Sequence, residues 1–230
     1  IPQQLADRLA GLPGVDLRLD TAVARIDPAS AELTMGSGER VGADRVLVAT
    51  DAHARATLFG EKPAVAFNET ATVYFDADPD SVEALGGESI LALDGDGTGP
   101  VNHLAVPSLT APSYAPPGRA LVACNIVDPA ALERLSSDEA LDEAVREQML
   151  GWFGDGVGAW RRLAVYRIRH ALPRRVPAQP GSSRGPGIDP AAAEFGKTER
   201  VFVTGDDLTH GSIEGAMIAG RMAAEAVLKA

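Results

Sequence analysis

The segment VFVTGDDLTHGSIEGAMIAG, residues 201–220, places the tightest constraint on what this chain can fold into. RVFVTG reads as a buried strand that stops at Gly205, and Asp206 then stands where the carboxyl end of a strand faces the crevice of an open sheet. Ligands bind at such ends. Ser212 can cap the helix that follows, and Gly215 in its first turn lets another group approach the backbone closely. Ile213, Ala216, Met217, Gly220, Ala223, Ala224 and Val227 fall at three and four spacing, which predicts an apolar helix face of unusually small residues. The unpaired amides and positive dipole end of such a helix suit an electron-rich oxygen or a developing negative charge. Plain strand–helix packing produces the same pattern, so spacing alone leaves both readings open.

The N-terminal third has a related rhythm. IPQQLADRLAGL carries Leu5, Leu9 and Leu12 at helical spacing and reads as an amphipathic helix already in stride, which suggests a natural start further upstream. VDLRL (15–19), AVARI (22–26) and AELTM (31–35) are predicted as strands of a small antiparallel ribbon, separated by turn residues such as DPAS. DRVLVAT (44–50) is a continuous apolar run, as expected of a strand buried on both faces, and DAHARATLFG then begins a helix. Strand, sharp polar turn and helix is the α/β pattern.

From about residue 62 the character changes. TATVYFDAD, SILALDG, VNHLAVPS and RALVACNIVD are successive strand-like runs with Pro- and Gly-rich turns between them. A helix is predicted over about 137–153, with Ser136 and Glu139 at capping-box spacing, and WRRLAVYRIRHALP then reads as a strand ending at Pro173. RRVPAQPGSSRGPGIDP (174–190) reads as a surface connection. The expected organisation is an α/β fold, mixed α+β in detail: a discontinuous α/β unit from residues 1–61 and 180–230, interrupted by a β-rich domain, 62–179, with a mixed sheet and a helix.

Charge and cysteine content narrow the function classes. Lys and Arg total 21 against 32 Asp and Glu, a formal charge of −11, which argues against nucleic acid as a partner. The single cysteine, Cys124, cannot form an intramolecular disulfide and fits a reducing compartment, with the cytoplasm as the expected location. No apolar run approaches the roughly 18 residues of a membrane span. His103 and His170 lack neighbours at metal-ligand spacing, so no metal site is expected, and Ser108 and Ser113 lack a nucleophile-elbow pattern.

The closing segment resembles the C-terminal flavin-binding motif of FAD-dependent oxidoreductases of the amine oxidase, phytoene desaturase and protoporphyrinogen oxidase superfamily. Gly205, Asp206, Ser212, Glu214, Gly215, Ala216, Gly220 and Ala224 match it. The resemblance implies FAD as cofactor, with Asp206 bonding a ribityl or phosphate-side hydroxyl, and makes residues 1–61 and 180–230 a partial FAD-binding Rossmann-like domain with a substrate-binding domain, 62–179, inserted in it. It also implies that the backbone at Glu214, Gly215 and Ala216 faces the pyrimidine end of the flavin ring, where a helix dipole would stabilise negative charge. VDLRLDTAVARID and VGADRVLVATDA resemble the family's middle segment, which places the backbone of Val23 at the adenine and Ala49 and Thr50 near the cofactor. HALP (170–173) is likewise similar to a segment before the family's last strand.

The family's GxGxxG diphosphate loop is absent from these residues: GDGTG (95–99) and GSSRGPG (181–187) read as turns. The expectation is a C-terminal fragment lacking the first dinucleotide-binding unit, and inactive by itself. DLTHGS carries Thr209 and His210 where amine oxidases commonly place an aromatic residue, which favours the desaturase or porphyrinogen branch and a small-molecule substrate of apolar or polycyclic character. His210 is the candidate catalytic side chain, as a proton-handling or orienting group, although a loop position in solvent fits it equally. Arg161, Arg162, Arg167, Arg169, Arg174 and Arg175 could gather an anionic substrate or balance nearby acids, while Trp152, Phe153 and Trp160 are expected to pack the helix onto the sheet. A noncatalytic binding module that keeps the flavin-domain shape without FAD is the competing reading.

Overall fold

The computed structural model describes residues 2–174 and 195–230. In chain order the first elements are α1 (Pro2–Ala10), β1 (Val23–Asp27), β2 (Glu32–Met35), β3 (Arg40–Gly42), β4 (Val46–Val48) and α2 (Ala52–Phe59). Next come β5 (Phe67–Ala77), β6 (Leu91–Leu93), β7 (His103–Ala105), α3 (Pro107–Thr110), β8 (Ala120–Ile126), α4 (Pro129–Arg134), α5 (Asp138–Phe153) and β9 (Arg161–Pro173). The last two are β10 (Val201–Val203) and α6 (Ile213–Lys229). They form two compact units, Ile1–Val65 with Arg175–Ala230 and the continuous stretch Ala66–Arg174. The connection predicted over 174–190 lies, beyond Arg174, outside the described residues.

In the first unit β1, β2 and β3 form an antiparallel ribbon. Asp27 shapes its first turn, because its carboxylate accepts from the Ala29 amide and the Ser30 hydroxyl. VDLRL forms no strand: residues 15–19 are exposed and have no ladder partner, so apolar alternation there had nothing to pair with. β4 pairs in parallel with β10, Val46 opposite Val201 and Val48 opposite Val203. Val46 and Val48 are buried but Leu47 between them is 38% exposed, so one face of this strand is covered and not both. Arg200 fastens the start of β10 to the ribbon by donating to the carbonyls of Ala43 (2.6 Å), Asp44 (3.0 Å) and Ser30 (3.1 Å). The helix expected at the start forms as α1, with no buried residue.

The second unit is built on a five-stranded sheet in the order β6-β7-β8-β5-β9. Every pairing in it is antiparallel, where the sequence suggested a mixed sheet. Alternation along β5 and β8 sends Ala71, Val73, Phe75, Val122, Cys124 and Ile126 to one face, where Leu141, Val145 and Met149 of α5 cover them. α5 is capped by Ser137, whose hydroxyl accepts from the Ala140 amide 3.1 Å away; the expected Ser136 stands one residue too early. Trp160 stacks on Phe75 and Phe153, at 5.5 and 5.7 Å between ring centres, and its indole N–H donates to Ser81. The arginines of β9 are largely committed to acids: Arg161 pairs with Asp76, Arg162 with Glu139 and Arg167 with Asp138.

Two buried groups of this unit lend themselves to test. Gln148 accepts from the Val101 amide (2.7 Å) and donates to Asp94 and the Val101 carbonyl. Replacing it by leucine strands a buried N–H, so Gln148→Leu should cost about 1–3 kcal/mol. Urea unfolding followed by tryptophan fluorescence reads this unit alone, since Trp152 and Trp160 both lie in it. Cys124 is fully buried, and burial pushes its thiol well above the usual range. A thiol reagent should therefore label it only as fast as the unit unfolds, whereas rapid labelling under native conditions would contradict this packing.

Candidate functional site

The parallel pairing of β4 and β10 brings two polar turns to the same end of the small sheet. Thr204 donates its amide to the Val48 carbonyl (2.9 Å), and a methyl placed on Gly205 would lie 3.2 Å from the Thr50 carbonyl oxygen. Asp51, just beyond Thr50, caps α2 by accepting from the His53 and Ala54 amides. One turn into α2, Arg55 reaches back to the second polar turn. Its guanidinium holds Asp207 through both carboxylate oxygens, at 2.5 and 3.3 Å, and also donates to the Thr204 carbonyl. Both charged side chains are almost fully buried.

Asp206 differs from its neighbours. Among the described residues it has no ion-pair partner and no side-chain donor. Burial first, then the charges of Asp207 and Asp51, raise its carboxyl above the usual range, against the opposing amides of Asp206 and Asp207. Nearby, the Thr204 hydroxyl is buried without a hydrogen-bond partner. A ligand hydroxyl would give this acid a donor beyond those two amides. An acid bonded only to backbone amides and a hydroxyl without a partner fit a hydroxyl-rich cofactor chain at this turn.

The start of α6 is closed by its own loop. Ser212 takes the Gly215 amide on its hydroxyl (3.0 Å) and the Ala216 amide on its carbonyl (2.9 Å). Of the three backbone groups assigned to the flavin ring from the resemblance, only that of Glu214 lies outside this cap. The group that approaches Gly215 is the His210 carbonyl, 1.9 Å from where a methyl would stand. The His210 ring lies 2.8 Å from the Ser212 hydroxyl through Nδ1, so this side chain braces the loop. Thr209 is buried and donates to the Gly215 carbonyl.

The buried face of α6 is Gly215, Ala219 and Ala223, with Met222 and Ala226 beside it. The face predicted from spacing is largely the open one, Ile213 being 70% and Met217 64% exposed. Val23, Ala49 and Thr50 meet in one place, a largely apolar cavity of about 660 Å³ that Ile26, Leu33 and Leu58 also line. Among the described residues no group of three or more His, Cys, Asp or Glu gathers as a metal site. Arg55, Thr204 and Asp207 were not singled out from the sequence, although Asp207 follows the motif acid directly.

A parallel strand pair with an acid-bearing turn at its carboxyl end, followed by a close-packed helix, defines a mixed α/β protein of the FAD-dependent oxidoreductase fold. The comparisons agree, since residues 1–228 match the family described as flavin containing amine oxidoreductase. The chain belongs to that family. A candidate protoporphyrinogen oxidase from Exiguobacterium sp. 255-15 has a similar fold at 17% identity, TM-score 0.67, over 99% of this chain and 51% of its own. Wild-type putrescine oxidase bound to putrescine is similar at 14% identity, TM-score 0.63, over 98% of this chain and 52% of its own. An oxidoreductase from Methanosarcina mazei is similar at 17% identity, TM-score 0.61, over 90% and 49%. The chain thus spans about half the length of the solved structures it matches. None of the curated proteins matches it.

Two measurements address the geometry. A methyl at Gly215 meets backbone that cannot yield without moving the 209–212 loop, so Gly215→Ala should destabilise the protein by about 1–3 kcal/mol, read by thermal unfolding. Asp206 has a folded-state carboxyl raised above its unfolded value, so the folded state holds the extra proton and stability falls as pH rises through that window. Asp206→Asn should therefore raise the unfolding temperature of the cofactor-free protein at pH 7, with the difference vanishing well below pH 4; equal shifts at both pH values would contradict it.

Proposed function

We propose that this chain is the C-terminal part of an FAD-dependent oxidoreductase, comprising part of the flavin domain and a substrate-binding domain. The carrying observation is Asp206, a carboxyl half-buried at the end of β10 without a side-chain donor, beside the orphaned Thr204 hydroxyl. Bound FAD supplies a two-electron acceptor for hydride leaving a substrate C–H or C–N centre. In this reading Asp206 accepts from a ribityl or phosphate-side hydroxyl, and Val23, Ala49 and Thr50 present the wall of the adjoining cavity to the adenine side. The Glu214 amide, with the dipole of α6 behind it, faces the electron-rich end of the ring. His210 keeps the cap of that helix in shape through Ser212 and is given an orienting role.

The unit Ala66–Arg174 is read as the substrate side. Its sheet has one face covered by α5 and a second, open face that carries Leu91, Leu93, Tyr74, Tyr166 and Ile168. Tyr74 and Tyr166 meet edge to face at 5.8 Å, and Tyr166 is 59% exposed. On the same face Asn125 accepts from the hydroxyls of Thr70 and Thr72, which leaves its amide hydrogens free to donate. Such a surface suits an apolar, ring-bearing substrate with one acceptor oxygen, in keeping with the desaturase or porphyrinogen branch. The buried free thiol of Cys124 supports a reducing, cytoplasmic setting.

The test is a visible absorption spectrum of the protein expressed from its complete reading frame. Flavin bands are expected, and Asp206→Ala should weaken FAD binding about tenfold in fluorescence titration of the apoprotein, the worth of one lost charged hydrogen bond. A colourless protein that no added FAD stabilises would overturn the reading.

A further inference from the structure

The carboxylates of this site are unequal, and one arginine makes them so. Asp51, Asp206 and Asp207 lie close enough for the first and last to raise the Asp206 carboxyl. Asp51 is engaged by the amides of α2, and Asp207 by the Arg55 fork. Asp206 takes only its own amide and that of Asp207 and has no cation beside it among the described residues. Gly205 belongs to the same device. Its φ of 168° is extended backbone that any residue adopts, so the glycine is not there for its conformational freedom. A methyl at that position would stand 2.5 Å from Asp207 Oδ1 and 3.2 Å from Arg55 Nη1, so the missing side chain makes room for the ion pair itself.

We infer that Arg55 is a positioning residue for cofactor binding: by clamping Asp207 and the Thr204 carbonyl across Gly205 it fixes the turn that carries Asp206 and so holds that carboxylate where it can take a cofactor hydroxyl. The inference rests on the FAD reading above. Arg55 touches no part of the cofactor in this scheme and acts through Asp206. Its guanidinium also offsets one of the three negative charges, which keeps the loop closed despite the clustering.

A double-mutant cycle on the full-length protein separates positioning from mere stabilisation. Apoprotein carrying Arg55→Gln, Asp206→Asn or both is titrated with FAD by fluorescence, and each unfolding temperature is recorded without cofactor. Arg55→Gln is expected to weaken FAD binding about tenfold in the wild-type background and by less than about twofold once Asp206 is already Asn, with Arg55→Lys partly restoring affinity. If Arg55→Gln does not fold, Arg55→Met with Asp207→Leu replaces the pair by apolar groups of similar size and carries the same expectation. An Arg55 effect that persists undiminished beside Asp206→Asn, or wild-type affinity in either arginine variant, would overturn the inference. Wild-type apoprotein that binds no FAD would instead overturn the cofactor reading on which it stands.

Discussion

The parallel pairing of β4 with β10 is the contact from which the candidate site follows. Val46–Val48 and Val201–Val203 come from opposite ends of the chain, and only their alignment puts two strand termini on the same edge. Because parallel strands end together, the Thr50–Asp51 turn and the Gly205–Asp207 turn arrive side by side, each with acids that neither segment alone would have to accommodate. The arginines on either side deal with the consequences. Arg200 holds the beginning of β10 to the ribbon by three carbonyls, and Arg55 holds the turn after its end by two carboxylate oxygens and one carbonyl. Between these two fastenings the strand has little freedom.

What remains is a local imbalance that serves binding better than stability. A carboxyl kept half-buried among like charges disfavours its own ionised state, and a threonine hydroxyl without a partner adds to the cost. Functional sites commonly hold groups in this condition, since a ligand that meets them gains what the empty protein lacks. The helix that follows is built differently. Ser212, His210, Thr209 and Gly215 bond to one another, so the start of α6 is held by its own loop.

Much of this was legible from the residues. Two strands of the ribbon (β1 and β2), β4, α2, the strand pattern of the second unit and the Ser212 cap follow from apolar alternation and turn chemistry, whereas the third ribbon strand, β3, takes the place expected for VDLRL. The Arg55–Asp207 pair did not, because its members are 152 residues apart and no local pattern joins an exposed-looking helix arginine to a loop acid. The packing face of α6 was misread for a physical reason. Periodicity weights the larger apolar residues Ile213 and Met217, whereas close approach is limited by size: Gly215 lies against the His210 carbonyl, and Ala219 and Ala223 pack with Phe195. Leu47 and VDLRL were misjudged because hydrophobicity marks what could be covered without saying whether a partner arrives.

The insertion of one unit within the other also bears on the order of events at the ribosome. Residues 66–174 are continuous and can close their sheet as soon as Arg174 has emerged, with Tyr166 finding Thr72 and Arg161 finding Asp76. β4 is made before this unit but cannot gain its parallel neighbour until Val201–Val203 appear, which at ordinary elongation rates is a delay on the order of ten seconds. Through that interval Val46 and Val48 have no strand beside them and an open edge of backbone groups. A nascent chain of this design therefore carries an unpaired strand through the whole synthesis of the inserted unit, which gives a chaperone time to engage it.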